Sequence, residues 1–274
     1  MLADAFSNVL GNLVIALLVL AGLAIYLTLL RQIGARKSSG APAIDTPPVR
    51  TFGLPEAFLA AVLILFLLMN IAAAAGRSPV QLNNRDLIAN FMLTLFVVFF
   101  IATFLKVRGI DIETMAGFSK ISLRRAVSTG IVLLLAATPL ILLAEGLTQS
   151  FLGGESSKQE IVDLFTNSRT IEQRVTIIVL AVVVAPISEE FIFRFFIYGV
   201  VRRYFGVAAG LVFNALIFAA AHTHLPSAAP LFVLGSCFTL AYEWSGSILV
   251  SMAMHALFNG TQLIFLAFPE LSQQ

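Results

Sequence analysis

Three charged side chains stand where charge is costly. Within Val175–Val201, VTIIVLAVVVAPISEEFIFRFFIYGVV, the acids Glu189 and Glu190 and the base Arg194 sit near the middle of an otherwise apolar stretch. Placing one Asp, Lys or Arg at the centre of a membrane helix costs roughly 2.5–3.5 kcal/mol on insertion scales. No other apolar span carries such a group in its middle, so these three are expected to line a water-accessible site inside a helix bundle. On a helix, Glu190 and Arg194 are four residues apart and share a face, where they can pair. Glu189 points about 100° away. One carboxylate can therefore be neutralised while the other stays available, and two unequally compensated acids differ in proton affinity. A carboxylate of that kind suits general-base work near neutral pH. The plainer alternative is an ion-paired pin between helices, which has no use for the second acid.

Further polar residues lie in two later spans. His222 closes a sixth span, in FAAAHTHLP, and His255 and Asn259 lie four apart, on one face, in an eighth. Each also has a modest reading: an imidazole bonded to a neighbouring carbonyl, or an amide joining helices for about 1 kcal/mol. His224 reads as an interfacial loop residue. Counted from the inner boundary at 1.5 Å per residue, Glu189, His222 and His255 lie at depths of roughly 20, 24 and 15 Å. All three fall in one layer, and adjacent antiparallel helices could join them. A base, two imidazoles and an amide suit water activation and oxyanion stabilisation. Ser188 precedes the acids and could serve as a nucleophile, but after Pro186 a local backbone bond is the expected use of its hydroxyl. Glu189, His222 and His255 also make a legitimate zinc set, although no HExxH is present. Buried Glu, Arg and His mark ion paths too, but paired repeats and paired broken helices are missing, which disfavours a transporter.

The elements that must position these residues are membrane helices. The 274-residue chain is 59% hydrophobic and 12% charged, with mean hydropathy +0.95. An average soluble domain is about 25% charged. The expected fold class is all-α, a polytopic transmembrane bundle of about eight helices. The spans are expected at about Val9–Leu30, Glu56–Ala75, Leu87–Leu105, Ala126–Ala144, Val175–Val201, Val207–His222, Ala228–Tyr242 and Ser247–Phe268. The fifth would be about 40 Å long against about 30 Å of hydrocarbon, so it must tilt, protrude or bend, with Pro186 the natural bend. Pro139 could kink the fourth. The Pro-, Gly- and Ser-rich stretch after the first span reads as a loop. The residues from Lys106 to Arg125 suggest a surface-lying helix, and a short amphipathic helix is expected around Lys158–Thr166. Cys237 is the sole cysteine, which excludes an intramolecular disulfide. The first segment lacks a basic n-region and is read as a retained span. With the first terminus outside, inner loops hold Arg31, Arg36, Lys37, Arg50, Lys106, Arg108, Lys120, Arg124, Arg125, Arg202 and Arg203, and outer loops only Arg77, Arg85, Lys158, Arg169 and Arg174. That bias puts both termini outside.

Glu189-Glu190-x-x-x-Arg194, Phe218-x-x-x-His222 and His255-x-x-x-Asn259, in this order on separate membrane helices, resemble the three motifs of the CAAX protease and bacteriocin-processing family. These are intramembrane glutamic proteases related to the Ras-converting endopeptidase. The likeness covers about Pro186 to Gly260. It divides the chain into an N-terminal part of three spans (1–125) and a catalytic bundle (126–274, motif core 186–260). It implies an endopeptidase acting on a membrane-associated or prenylated CAAX-type substrate, in a bacterial or archaeal plasma membrane, with the lipid bilayer and no nucleic acid among its partners. By the same resemblance Glu189 activates water with help from His222, and His255 and Asn259 hold the oxyanion. Glu190 and Arg194 shape the site, and no metal or other cofactor is needed. Some relatives act as immunity, scaffold or regulatory proteins, which keeps a non-enzymatic role open.

Overall fold

A computed structural model describes residues 2–38, 51–75, 84–152, 165–166, 168, 170–268 and 270. The expected amphipathic helix around Lys158–Thr166 falls almost wholly outside them, as do most of the first two loops. Among the described residues there are helices and no strands, and seven helical runs are long and apolar enough to cross a membrane. The protein is thus an integral, multi-pass membrane protein. The helices are α1 (Leu2–Ser38), α2 (Leu54–Ala75), α3 (Asn84–Val107), the short α4 (Ile112–Ala116) and α5 (Leu123–Leu152). After them come α6 (Ile171–Val179), α7 (Ala185–Glu190), α8 (Gly199–Ala221), α9 (Ala228–Ser245) and α10 (Ile248–Ala267).

The run from Ile171 to Ala221 is continuous by hydrogen bonding, yet it supplies both the fifth and the sixth expected spans. Gly206 breaks it, with φ 84° and ψ 175°, a backbone conformation that glycine alone enters without a steric penalty. The chain folds back there. The Arg194 guanidinium reaches the Phe218 ring, and a Cβ on Gly210 would lie 3.0 Å from the Tyr198 ring. The arm before the break, 171–205, is about 50 Å long and exceeds the hydrocarbon thickness. Its far end, with Arg202 and Arg203, can therefore extend beyond the apolar layer.

Neither of the two prolines in these spans ends its helix. Pro139 rides inside α5 without a break. Pro186 does not stop its helix either. Residues Leu180–Val184 just before it are π-helical, as are Phe191–Tyr198 just after the acids. Backbone angles stay helical through both joins, with φ −59° and ψ −53° at Ala185. Single π turns of this kind accumulate at functional sites because they re-aim the side chains that follow.

The layer that carries the candidate site residues is the antiparallel packing of α7–α8, α9 and α10. Around it α5 lies close to α10, where a Cβ on Gly130 would stand 3.1 Å from the Ala253 methyl. The α1 helix docks from outside, its Tyr26 hydroxyl donating to the Leu133 carbonyl at 2.8 Å. Phe52, just ahead of α2, inserts edge-on between Phe195 and Phe196, with ring centroids 5.7 and 6.0 Å away. Glu56 then closes the start of α2, accepting from Gly53 N at 2.6 Å and Arg108 Nε at 3.1 Å. The surface helix expected between spans three and four is α4, started by Asp111 as N-cap and stopped by Gly117 at φ 71°.

Candidate active site

The acid pair divides its work as the helical geometry requires. Glu190 is fully buried, its Oε1 3.0 Å from Arg194 Nη1 and 2.9 Å from His255 Nδ1. The Arg194 contact is an ion pair without the direction of a hydrogen bond, whereas His255 Nδ1 donates squarely to the carboxylate. Arg194 is also fully buried. Its Nη2 donates to the Gly235 carbonyl at 3.4 Å, and its guanidinium lies 4.1 Å from the Phe218 ring centroid and 5.2 Å from that of Phe238. A charge pair so deeply buried is tolerated only when each partner is compensated. Here the acid has Arg194 and His255, and the cation has the acid and two aromatic faces.

Glu189 is different. Its side chain is 24% exposed, and its Oε2 lies 4.0 Å from His255 Nε2, too far for a direct hydrogen bond. That oxygen is buried and orphaned among the described atoms. The two acids therefore address the two nitrogens of one imidazole. Glu190 fixes Nδ1 and with it the ring plane, while Nε2 faces the uncommitted carboxylate.

His222 ends α8, and its Nδ1 donates to the Phe218 carbonyl at 2.8 Å. Nε2 is thereby left as the free nitrogen. Its ring sits 4.8 Å from the Phe218 ring, which also meets His255 at 6.1 Å. The two imidazoles thus share one aromatic neighbour. After His222 the chain turns sharply through Thr223, which holds φ 51°, a strained value for a β-branched residue. His224 bonds Ser227 Oγ at 2.8 Å and belongs to the turn, as expected of a loop residue.

Asn259 has a partner that the sequence did not suggest. Its Nδ2 donates to the Ala181 carbonyl at 2.8 Å. The reason lies in the π turn. Ala185 N bonds Leu180 O, five residues back, so the next amide in that register would serve Ala181. The next residue is Pro186, which has no N–H to give. Asn259 supplies the missing donor and ties α10 to the turn that aims the acids. Its second amide hydrogen and its oxygen stay uncommitted. Ser188 Oγ bonds back to Val184 O at 2.7 Å and Ala185 O at 3.2 Å, the local use expected of it.

The structure thus brings Glu189, Glu190, Arg194 and His255 into direct register and sets His222 against them through Phe218. It places Asn259 on the backbone just before the acids. The supporting groups Phe238, Gly235 and Ala181 were not singled out from sequence, and Pro186 was read only as a bend. Gly235 leaves the only kind of room that fits, since a Cβ there would lie 2.9 Å from Phe218 Cδ1. Below it, Asn214 Nδ2 donates to Thr239 Oγ1 at 2.9 Å, and Thr239 donates to the Gly235 carbonyl at 2.8 Å. Asn214, an amide inside an apolar span, was the one available signal for this network. Among the described residues no three His, Cys, Asp or Glu side chains converge as a metal-ligand set.

Comparison with known proteins points the same way. The membrane-embedded CAAX protease MroQ of Staphylococcus aureus (strain USA300) is 32% identical over 89 residues, 30% of this chain and 36% of that protein. The chain therefore matches only about a third of that relative's length. No solved structure matches the chain. Residues 171–261 match the model of the type II CAAX prenyl endopeptidase Rce1-like family, a segment that contains Glu189, Glu190, Arg194, His222, His255 and Asn259. That segment, about a third of the chain, is what resembles the Rce1-like family of type II CAAX prenyl endopeptidases.

Proposed function

We propose that the protein is an intramembrane endopeptidase that hydrolyses a peptide bond of a membrane-associated or prenylated, CAAX-type substrate with water activated by Glu189. The observation that carries this reading is the contrast between the acids: Glu189 is 24% exposed, with an unpartnered Oε2 4.0 Å from His255 Nε2, while Glu190 is fully buried and its Oε1 is held by Arg194 and His255. A buried acceptor without a partner costs free energy, and a water molecule or substrate group repays it. In the reaction Glu189 takes a proton from water as the oxygen attacks the scissile carbonyl. His222, its Nε2 free, helps to hold that water. His255 and the unused amide hydrogen of Asn259 face the oxyanion of the tetrahedral intermediate. The proton on Glu189 then passes to the leaving amine. Glu190 and Arg194 keep the imidazole in place and balance charge in a low-dielectric site. The positive-inside distribution favours both termini outside, with Arg202 and Arg203 on the inner side.

The test is reconstitution of the purified protein in liposomes with a fluorogenic farnesylated CAAX-type peptide and a second, unprenylated membrane-anchored peptide. Cleavage of either, unchanged by prior dialysis against a strong chelator, is expected. Activity abolished by the chelator and restored by zinc would replace the glutamic reading with a metal-dependent one.

A further inference from the structure

Outside the three motifs, one side chain touches both the imidazole and the guanidinium of the site. Phe238 is fully buried on α9, and its ring stacks on His255 with centroids 5.1 Å apart and planes 28° from parallel. The Arg194 guanidinium carbon lies 5.2 Å from that same ring centroid. The His255 ring therefore meets four constraints. Two lie near its plane, Glu190 at Nδ1 and Glu189 toward Nε2. Two are aromatic, the face of Phe238 and the edge contact of Phe218 at 84°. A single hydrogen bond at Nδ1 leaves an imidazole free to swing about that bond. A stacked face removes the swing, because rotation would drive the ring into Phe238.

Gly235, one turn earlier on α9, makes the stack possible. It is close-packed against Phe218 and gives its carbonyl to Arg194, so α9 can approach until Phe238 reaches His255. We infer that Phe238 is a positioning residue: by stacking on His255 it holds the Nε2 of that ring toward Glu189. The inference deepens the peptidase reading and rests on it for its kinetic consequence, but its structural content stands alone. Misplacing a reacting group by about 1 Å costs up to about a hundredfold in rate.

The experiment uses the full chain in detergent micelles with its histidine side chains isotopically labelled. The stack predicts that the His255 ring protons resonate upfield of those of the unstacked His224, through the Phe238 ring current. Phe238→Leu is expected to abolish that displacement, and Phe238→Tyr, which keeps the ring, to retain it. In the liposome assay with the farnesylated peptide, Phe238→Leu is expected to lower kcat by about tenfold to a hundredfold at constant KM, and Phe238→Tyr to restore most of it. An undisplaced His255 in the wild type overturns the inference without any variant. A displaced ring together with full kcat in Phe238→Leu overturns it as well. Absence of cleavage by the wild type, with the displacement present, counts against the peptidase reading and leaves the stack standing.

Discussion

The bond between Asn259 and Ala181 makes a quantitative prediction about how the acid-bearing turn is held. Asn259→Leu removes the donor and leaves the Ala181 carbonyl buried, since Ala181 is 4% exposed. An orphaned buried acceptor costs about 1–3 kcal/mol in water-soluble proteins. Side-chain hydrogen bonds in membrane helices average about 0.6 kcal/mol and reach about 1.7. A loss of about 1–2 kcal/mol is therefore expected for Asn259→Leu. The orphan exists because residue 186 has no N–H, so Pro186→Ala supplies a new donor in the register already used by Ala185. In the double variant the destabilisation should shrink by at least about 0.5 kcal/mol, a coupling typical of groups that share a partner. The assay is unfolding by sodium dodecyl sulfate titrated into dodecyl maltoside micelles, followed by circular dichroism, for the two single variants and the double. The reasoning is refuted if Asn259→Leu is as stable as wild type, or if the two substitutions act additively.

Other perturbations probe the surroundings. Arg194→Met leaves the buried Glu190 carboxylate with His255 alone and should cost about 3–5 kcal/mol, read in the same titration or as loss of folded protein on expression. Gly235→Ala brings a Cβ to 2.9 Å from Phe218 and should cost about 1–3 kcal/mol while displacing the Arg194 contact, checked by stability and by the His255 ring resonances. Where α4 begins, hydrogen bonds from Thr114 hold the Asp111 carboxyl below the usual carboxylate range. The cap of α4 is therefore complete above the ordinary Asp pKa and is lost as pH falls through the lowered folded value. Protection of the Met115 and Gly117 amides, taken relative to their intrinsic exchange rates, should fall only at that acidic end.

Much of this site could be read from residue type and spacing. A charge in the middle of an apolar span is so costly that Glu189, Glu190 and Arg194 identify themselves, and the four-residue interval gives their pairing. Depth counting set the two imidazoles in the right layer. Spacing singles out Glu190 as the acid paired with Arg194, but not its second bond, because that depends on the approach of His255 from a helix 65 residues away. The π turns at Leu180–Val184 and Phe191–Tyr198 were equally hidden. At the first of them the missing donor at Pro186 is answered by Asn259, a match visible only in three dimensions. Gly206 reads in sequence as an ordinary loop glycine, yet its positive φ turns one long helix into a hairpin. Phe238 and Gly235 look like generic apolar filling, and only the packing of α9 against α10 gives them a task.

The central claim is that of two adjacent carboxylates, the one at position 189 acts on water and the one at 190 builds the site. Its most direct measurement is the cleavage rate of Glu189→Gln in liposomes, beside its unfolding midpoint. The account predicts a midpoint like that of the wild type and a rate at the background of empty liposomes. Cleavage at the wild-type rate by the folded variant would contradict it.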